Sequence, residues 1–148
     1  MRGPYRKRRV AEPPQFNRFK PAGIPSRKLK SVVLTVDEYE AIRLTDYLQL
    51  EHLTASEKMA ISRPTFTRLI ESARHRVAQA LIDGKELIIT GGNIDFELTL
   101  HKCRKCGDTH RTPPRKYIHE CLRCGSDQIS DLSSLVHEHK NEQRNTNK

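Results

Sequence analysis

Hydrophobic positions recur every three or four residues between about residues 35 and 82, and alternate with polar positions further along the chain. The first spacing predicts helices and the second predicts strands. Thr35 and Glu38 have capping-box spacing, so the first helix should run from Thr35 to about Leu48. Its expected apolar face consists of Ala41, Leu44 and Leu48, flanked by Ile42 and Tyr47.

Two further helices are predicted on either side of a short turn. The second helix begins near His52, or at Thr54 if Glu57 completes another capping box, and ends near Ala60 and Ile61. The third helix runs from Arg63 to about Ile82, with Ser62 as its N-cap, Pro64 in its first turn and Gly84 as its stop. Its buried face is expected to comprise Phe66, Leu69, Ala73, Val77 and Ala80.

The spacing of residues 56–69 is typical of a helix-turn-helix. Ser56 is a small residue at the expected helix crossing, and Ala60 is a small turn residue four positions later. The early turns of a recognition helix face the major groove of DNA. The candidate DNA-binding residues are Ser62, Arg63, Thr65, Thr67, Arg68 and Arg74. An ordinary helical pair shares part of this pattern, and Glu71 can pair with Arg68 or Arg74 at helical spacing.

Beyond Gly84 the hydrophobic period changes to two. Residues 86–90 are predicted to form a strand, Gly91 and Gly92 a turn, and the alternating segment 94–100 the second strand of a hairpin. The predicted fold is mainly α, a three-helix helix-turn-helix domain followed by a small β zinc ribbon around the four cysteines described next, and α+β overall. The predicted divisions are a basic arm (1–34), the helical domain (35–85), the hairpin and ribbon (86–135) and a disordered polar tail (136–148).

All four cysteines occur in two Cys-x-x-Cys-Gly knuckles, Cys103 with Cys106 and Cys121 with Cys124. Two such knuckles supply four thiolates for one tetrahedral cation, and the following glycine lets backbone N–H groups approach the sulfurs. Structural Zn²⁺ is the expected metal, and rubredoxin-like iron is the alternative. His101, His110 and His119 are expected to be surface residues. Two disulfides do not suit a reducing compartment.

The positive charge of the chain is concentrated at its start. Residues 1–30 contain ten of the 27 basic residues, one of the 18 acidic residues and five prolines, and the whole chain has a formal charge of +9. The functional interpretation is a basic arm that neutralises DNA phosphates, and deletion of residues 2–9 should leave the helices and the cysteine knuckles intact. The alternative interpretation is a solvated terminus.

Several blocks of this sequence resemble an uncharacterised family of small prokaryotic proteins. The resemblance covers about residues 12–92, and its blocks are 21–25, 37–44, 59–66, 81–85 and Gly91-Gly92. That family is predicted to bind DNA through a helix-turn-helix similar to the fourth conserved region of sigma-seventy-type factors. The resemblance implies a fold and a class of partner, without naming a DNA target.

Together these patterns predict a sequence-specific DNA-binding protein that regulates transcription. Its expected partners are double-stranded DNA, RNA polymerase and a second copy of the chain. An adaptor whose ribbon binds RNA polymerase, RNA or protein is an alternative, and an iron redox protein is another. No enzyme motif is present, so no catalysis is expected. With no apolar run of membrane-spanning length and no signal peptide, a cytoplasmic location is expected.

Overall fold

The computed structural model describes residues 6–134 and Val136, and it has a mixed α+β fold. Its helices are α1 (Val36–Ile42), which continues as a π-helical segment over Arg43–Tyr47, α2 (His52–Lys58) and α3 (Arg63–Asp83). Its strands are β1 (Arg8–Val10), β2 (Arg18–Phe19), β3 (Ser31–Leu34), β4 (Glu86–Ile89), β5 (Ile94–Phe96), β6 (Thr99–Cys103), β7 (Thr109–Thr112) and β8 (Ile129–Asp131). A short 3₁₀ helix spans Ser26–Lys28.

Helix α1 begins as its sequence predicts but ends differently. Both hydrogen bonds of the Thr35–Glu38 capping box are present. In the π-helical segment, the Leu48 N–H donates to the carbonyl of Arg43, five residues back, at 2.9 Å. This wider turn changes the helical register. Tyr47 is therefore 79% exposed and Leu48 is 45% exposed, so the predicted apolar face was wrong at its end.

Helices α2 and α3 are joined by a tight turn. Helix α2 starts at His52, the earlier of the two predicted starts. Ala60 has a positive φ of 57°, which lets the chain reverse, and the Ile61 N–H donates to the carbonyl of Ser56 at 3.0 Å. Ser62 caps α3, and Gly84 ends it in the left-handed conformation, as predicted.

Two hydrophobic clusters form the core, and α3 contributes to both. The first lies among the helices and contains Ala41, Leu44, Ala55, Met59, Phe66, Leu69 and Ile70. The second joins helices to strands and contains Val10, Leu34, Val36, Ala73, Ile89, Ile94 and Val136. Helix α3 thus packs on α1 and α2 through its first half and faces the strands from Ala73 onward.

The strands before the helices pair with the strands after them. Strand β4 lies between β2, which is antiparallel to it, and β3, which is parallel to it. Strand β1 pairs in parallel with β5. The predicted hairpin of residues 86–100 was wrong, because both edges of β4 are occupied and β5 pairs elsewhere. Strands β1, β2 and β3 all lie within residues 8–34 and pair with strands that follow the helices, so the arm predicted for residues 1–34 is not a separate unit.

The cysteines lie at the end of β6 and in the connections of a third, antiparallel sheet, which has the strand order β7-β6-β8. After this sheet, Val136 is 1% exposed, and its carbonyl accepts a hydrogen bond from the Thr90 hydroxyl at 2.7 Å. Val136 therefore belongs to the core rather than to the predicted tail, and residues 137–148 lie outside the described residues. Within the described part of the chain, no helix is long and apolar enough to cross a membrane.

Candidate metal centre and nucleic-acid interface

The two cysteine knuckles have matching backbone geometry. The Gly107 N–H donates to the carbonyl of Cys103, and the Gly125 N–H donates to that of Cys121, both at 2.9 Å. Both glycines have positive φ, 80° and 76°, which other residues rarely adopt. In the first knuckle the N–H of Cys106 points toward the Sγ atom of Cys103, and the N–S distance is 3.5 Å. In the second knuckle the N–H of Cys124 points toward the Sγ atom of Cys121 at the same distance.

The four sulfurs converge on one point. All four Sγ atoms lie within 4.8 Å of one another, and the Cys103–Cys124 and Cys106–Cys121 pairs are each separated by 3.6 Å. A tetrahedron with metal–sulfur bonds of about 2.3 Å has sulfur–sulfur edges of about 3.8 Å. The separations are also far longer than a disulfide bond of about 2.05 Å. The predicted four-cysteine cluster is therefore present, and its shape suits one tetrahedral metal ion.

Backbone N–H groups favour the thiolate form of two of these cysteines. The N–H of Cys124, followed by the His110 side chain, lowers the pKa of Cys121 to about 5. The N–H of Cys106 lowers the pKa of Cys103. A thiolate is the form that binds metal, so these hydrogen bonds favour that form at Cys103 and Cys121. At Cys106 the N–H of Asp108 acts in the same direction, but desolvation and the neighbouring cysteine sulfurs outweigh it and raise the pKa to about 12.

The histidines around this site have different environments. His110 is half-buried, and its Nε2 lies 3.4 Å from the Cys121 sulfur, so it contacts the cysteine cluster. His101 is 1% exposed and its Nε2 lies 3.0 Å from the Thr112 hydroxyl. The prediction that all three histidines are surface residues was therefore wrong for His101, which points inward from β6. His119 is exposed, as predicted.

The cysteine-bearing sheet is attached to the segment that follows β1. Arg111 on β7 forms a bidentate ion pair with Glu12, with N–O distances of 2.6 and 3.1 Å. The Lys102 ammonium on β6 lies 5.4 Å from the ring centre of Phe16, in cation–π contact. The Leu98 N–H also donates to the carbonyl of Ala11 at 2.9 Å. These contacts hold the cysteine cluster against the N-terminal segment.

The amino-terminal turns of α3 expose two uncommitted cations. Arg63 and Arg68 are both exposed, and neither forms an ion pair with another described residue. Phe66, Leu69 and Ile70 are buried on the opposite side of the same turns. The helix therefore presents free guanidinium groups to solvent from a side that packing does not use.

The other predicted DNA-binding residues already have partners within the chain. The Ser62 hydroxyl accepts from the Thr65 N–H at 3.3 Å and donates to the Thr65 hydroxyl at 2.8 Å. The Thr67 hydroxyl lies 3.1 Å from Nδ1 of His52, which joins α2 to α3. Arg74 binds Asp46 through two hydrogen bonds of 2.7 and 3.2 Å, and this contact raises its pKa. These partners leave Arg63 and Arg68 as the available cations among the six predicted residues.

Known proteins similar to this chain carry no assigned activity in their names. Residues 1–97 match the family model described as "Protein of unknown function DUF134". A UPF0251 protein of Chloroherpeton thalassium is 49% identical over 132 residues, which are 89% of this chain and 87% of that protein. A UPF0251 protein of Methanococcus vannielii is 45% identical over 101 residues, 68% of this chain and 72% of that protein. No solved structure matches the chain.

Proposed function

We propose that this chain, which belongs to the DUF134 family of proteins of unknown function, binds duplex DNA sequence-specifically and regulates transcription. The observation that carries the proposal is a pair of arginines on the exposed side of the first turns of α3, Arg63 and Arg68, which have no ion-pair partner in the part of the chain that the structure describes. Arginine in this position can form two parallel hydrogen bonds to guanine in the major groove.

The packing of α2 against α3 and the turn between them support a helix-turn-helix assignment. Ser56 is 1% exposed, and a side chain of that size allows α2 to lie close to α3. Ala60 adopts the left-handed conformation that a reversal requires, and Met59 and Phe66 are fully buried on either side of it. In such a pair the second helix places its amino-terminal residues against base edges. We assign this role to α3.

We further propose that the four cysteines bind structural Zn²⁺. Four cysteine sulfurs that lie within 4.8 Å of one another would fill every coordination position of a tetrahedral ion, so a metal here would have no open position for catalysis. The site lies in a small sheet that offers few buried apolar side chains, and metal binding would supply much of its folding free energy. Iron suits the same four sulfurs and is the alternative occupant.

Selection of binding sites from random duplexes, followed by substitution of Arg68, tests the proposed function. We expect a recurring sequence to be selected. Arg68→Ala should then weaken that site by about 1–3 kcal/mol more than it weakens a scrambled duplex, because a bidentate base contact discriminates by that amount. Arg74→Gln is the matched control, since it removes the same charge from the same helix but from a side chain that Asp46 already neutralises.

Two outcomes would contradict the proposal. If no duplex is enriched although the protein is folded and metal-loaded, the chain is not a sequence-specific DNA-binding protein, and the adaptor hypothesis becomes the better one. If a site is enriched but Arg68→Ala and Arg74→Gln weaken all duplexes equally, α3 is not the element that reads the sequence.

A further inference from the structure

Strand β1 meets the helical pair at the turn between α2 and α3. The Arg9 N–H donates to the carbonyl of Met59 at 3.0 Å, and Met59 immediately follows the last residue of α2. The neighbouring residues of β1 are fixed as well, since Arg8 binds Asp37 at 2.6 Å and Val10 is fully buried. The backbone of Arg9 therefore has a defined position beside the turn.

Three basic side chains line a cavity of about 280 Å³ at this junction, and two acidic side chains accompany them. Arg43 is committed, because its Nε donates to Glu40 at 2.8 Å, and the other oxygen of Glu40 accepts from the Ala11 N–H. Arg9 approaches Glu97 only to 4.0 Å, and both side chains are more than half exposed. Such a pair stabilises the fold little and exchanges readily. Lys58 is exposed and has no ion-pair partner among the described residues.

The end of α2 is less repulsive to anions than a bare helix terminus. The carbonyls of the last turn of a helix carry partial negative charge when they lack donors. Here the carbonyl of Ser56 accepts the N–H of Ile61, and that of Glu57 accepts the N–H of Ala60. The carbonyl of Met59 accepts the N–H of Arg9. The cavity therefore has two available cations beside carbonyl groups that are already hydrogen-bonded.

From this geometry we infer that Arg9 and Lys58 form a subsite for a backbone phosphate of duplex DNA. The inference rests on the proposed function, and it assigns phosphate contact to a folded strand and the end of α2 rather than to a loose arm. Met59 lies four residues before Arg63, so the subsite adjoins the start of the helix that we assign to base recognition. A phosphate bound here would fix the position of α3 along the duplex without reading its sequence.

A salt titration of DNA binding tests the subsite. The double variant Arg9→Gln/Lys58→Gln should make the slope of log affinity against log salt shallower by about 0.9, because the subsite neutralises one phosphate and each neutralised phosphate contributes about 0.9. Affinity should fall by the same factor on selected and scrambled duplexes. Lys85→Gln is the matched control, since it removes a charge beyond the opposite end of α3 and should leave the slope unchanged. Lys58→Gln alone, which breaks no ion pair among the described residues, should also make the slope shallower, by no more than about 0.9, and it tests the subsite even if the double variant folds poorly.

Three results would overturn the inference. If both variants have the wild-type slope while Arg68→Ala still loses discrimination, the subsite is wrong and the proposed function stands. If Lys58→Gln weakens only the selected sequence, Lys58 contacts bases rather than phosphate. If the wild-type protein binds no duplex, the proposed function fails and the subsite fails with it.

Discussion

Glu38 is a buried carboxylate that four donors surround. One oxygen accepts from the N–H and hydroxyl of Thr35, at 3.0 and 2.9 Å. The other accepts from the hydroxyl of Ser72 at 2.9 Å and from Nε of Arg76 at 3.1 Å. Because Ser72 and Arg76 belong to α3, this one side chain caps α1 and also fixes it to α3. A buried charge is tolerated here because its hydrogen-bonding capacity is used.

Glu38→Gln should lower the free energy of unfolding by about 1.5–3 kcal/mol, the range for hydrogen bonds to a charged group. The amide oxygen can still accept from Thr35, but the amide nitrogen would then face two donors, Ser72 and Arg76. Urea unfolding followed by circular dichroism measures the change. Glu71→Gln, an exposed position on α3, is the control and should change stability by less than about 0.5 kcal/mol. Equal effects of the two substitutions would mean that the Glu38 network does not stabilise the fold.

Among the elements, the long helix was easier to predict than the short strands. Helix α3 has 21 residues, a capping serine and a terminal glycine, so its bounds follow from local signals. Strands β1 and β2 have three and two residues, too few for a hydrophobic period, and their partners lie beyond the helices. The burial of Glu38 was also unpredictable, since Arg76 is 38 positions away. The cysteine cluster was predictable because the paired knuckles carry their own geometry.

The cysteine cluster predicts that the purified protein contains about one Zn²⁺ per chain, which elemental analysis measures.

The substitution Cys121→Ser should remove the metal and unfold residues 99–131, which amide hydrogen exchange detects, while most of the helical signal persists. The helices should persist because their buried cluster contains no residue of that sheet. Leu122→Ala, at a 78% exposed position beside Cys121, is the control. Stoichiometric iron in natively purified protein would contradict zinc, and metal retention by Cys121→Ser would contradict the ligand set.

Across the whole molecule, the positive charge of the first thirty residues is partly neutralised by the fold. Arg8 and Arg18 bind the buried carboxylates of Asp37 and Glu86 at 2.6 and 3.3 Å. Lys7 and Arg9 lie near Asp95 and Glu97, on and just after β5, at longer distances of 3.6 and 4.0 Å. Arg8 and Arg18 therefore attach the basic segment to buried carboxylates of the core, whereas Lys7 and Arg9 form only long ion pairs at the surface.

This arrangement predicts that two truncations differing by four residues have different stabilities. Deletion of residues 2–10 removes the buried Val10, the Arg8–Asp37 ion pair, and the backbone bonds from Arg8 to Asn93 and from Arg9 to Met59. Loss of the buried valine alone should cost about 1.5–3 kcal/mol, and Asp37 would keep a buried charge without its partner. Deletion of residues 2–6 leaves each of these contacts in place and is the control. Thermal unfolding followed by circular dichroism should give a clearly lower midpoint for the longer deletion. If both truncated proteins unfold at the same temperature, β1 does not contribute to the folded core, and the original expectation of a dispensable arm would be the better description.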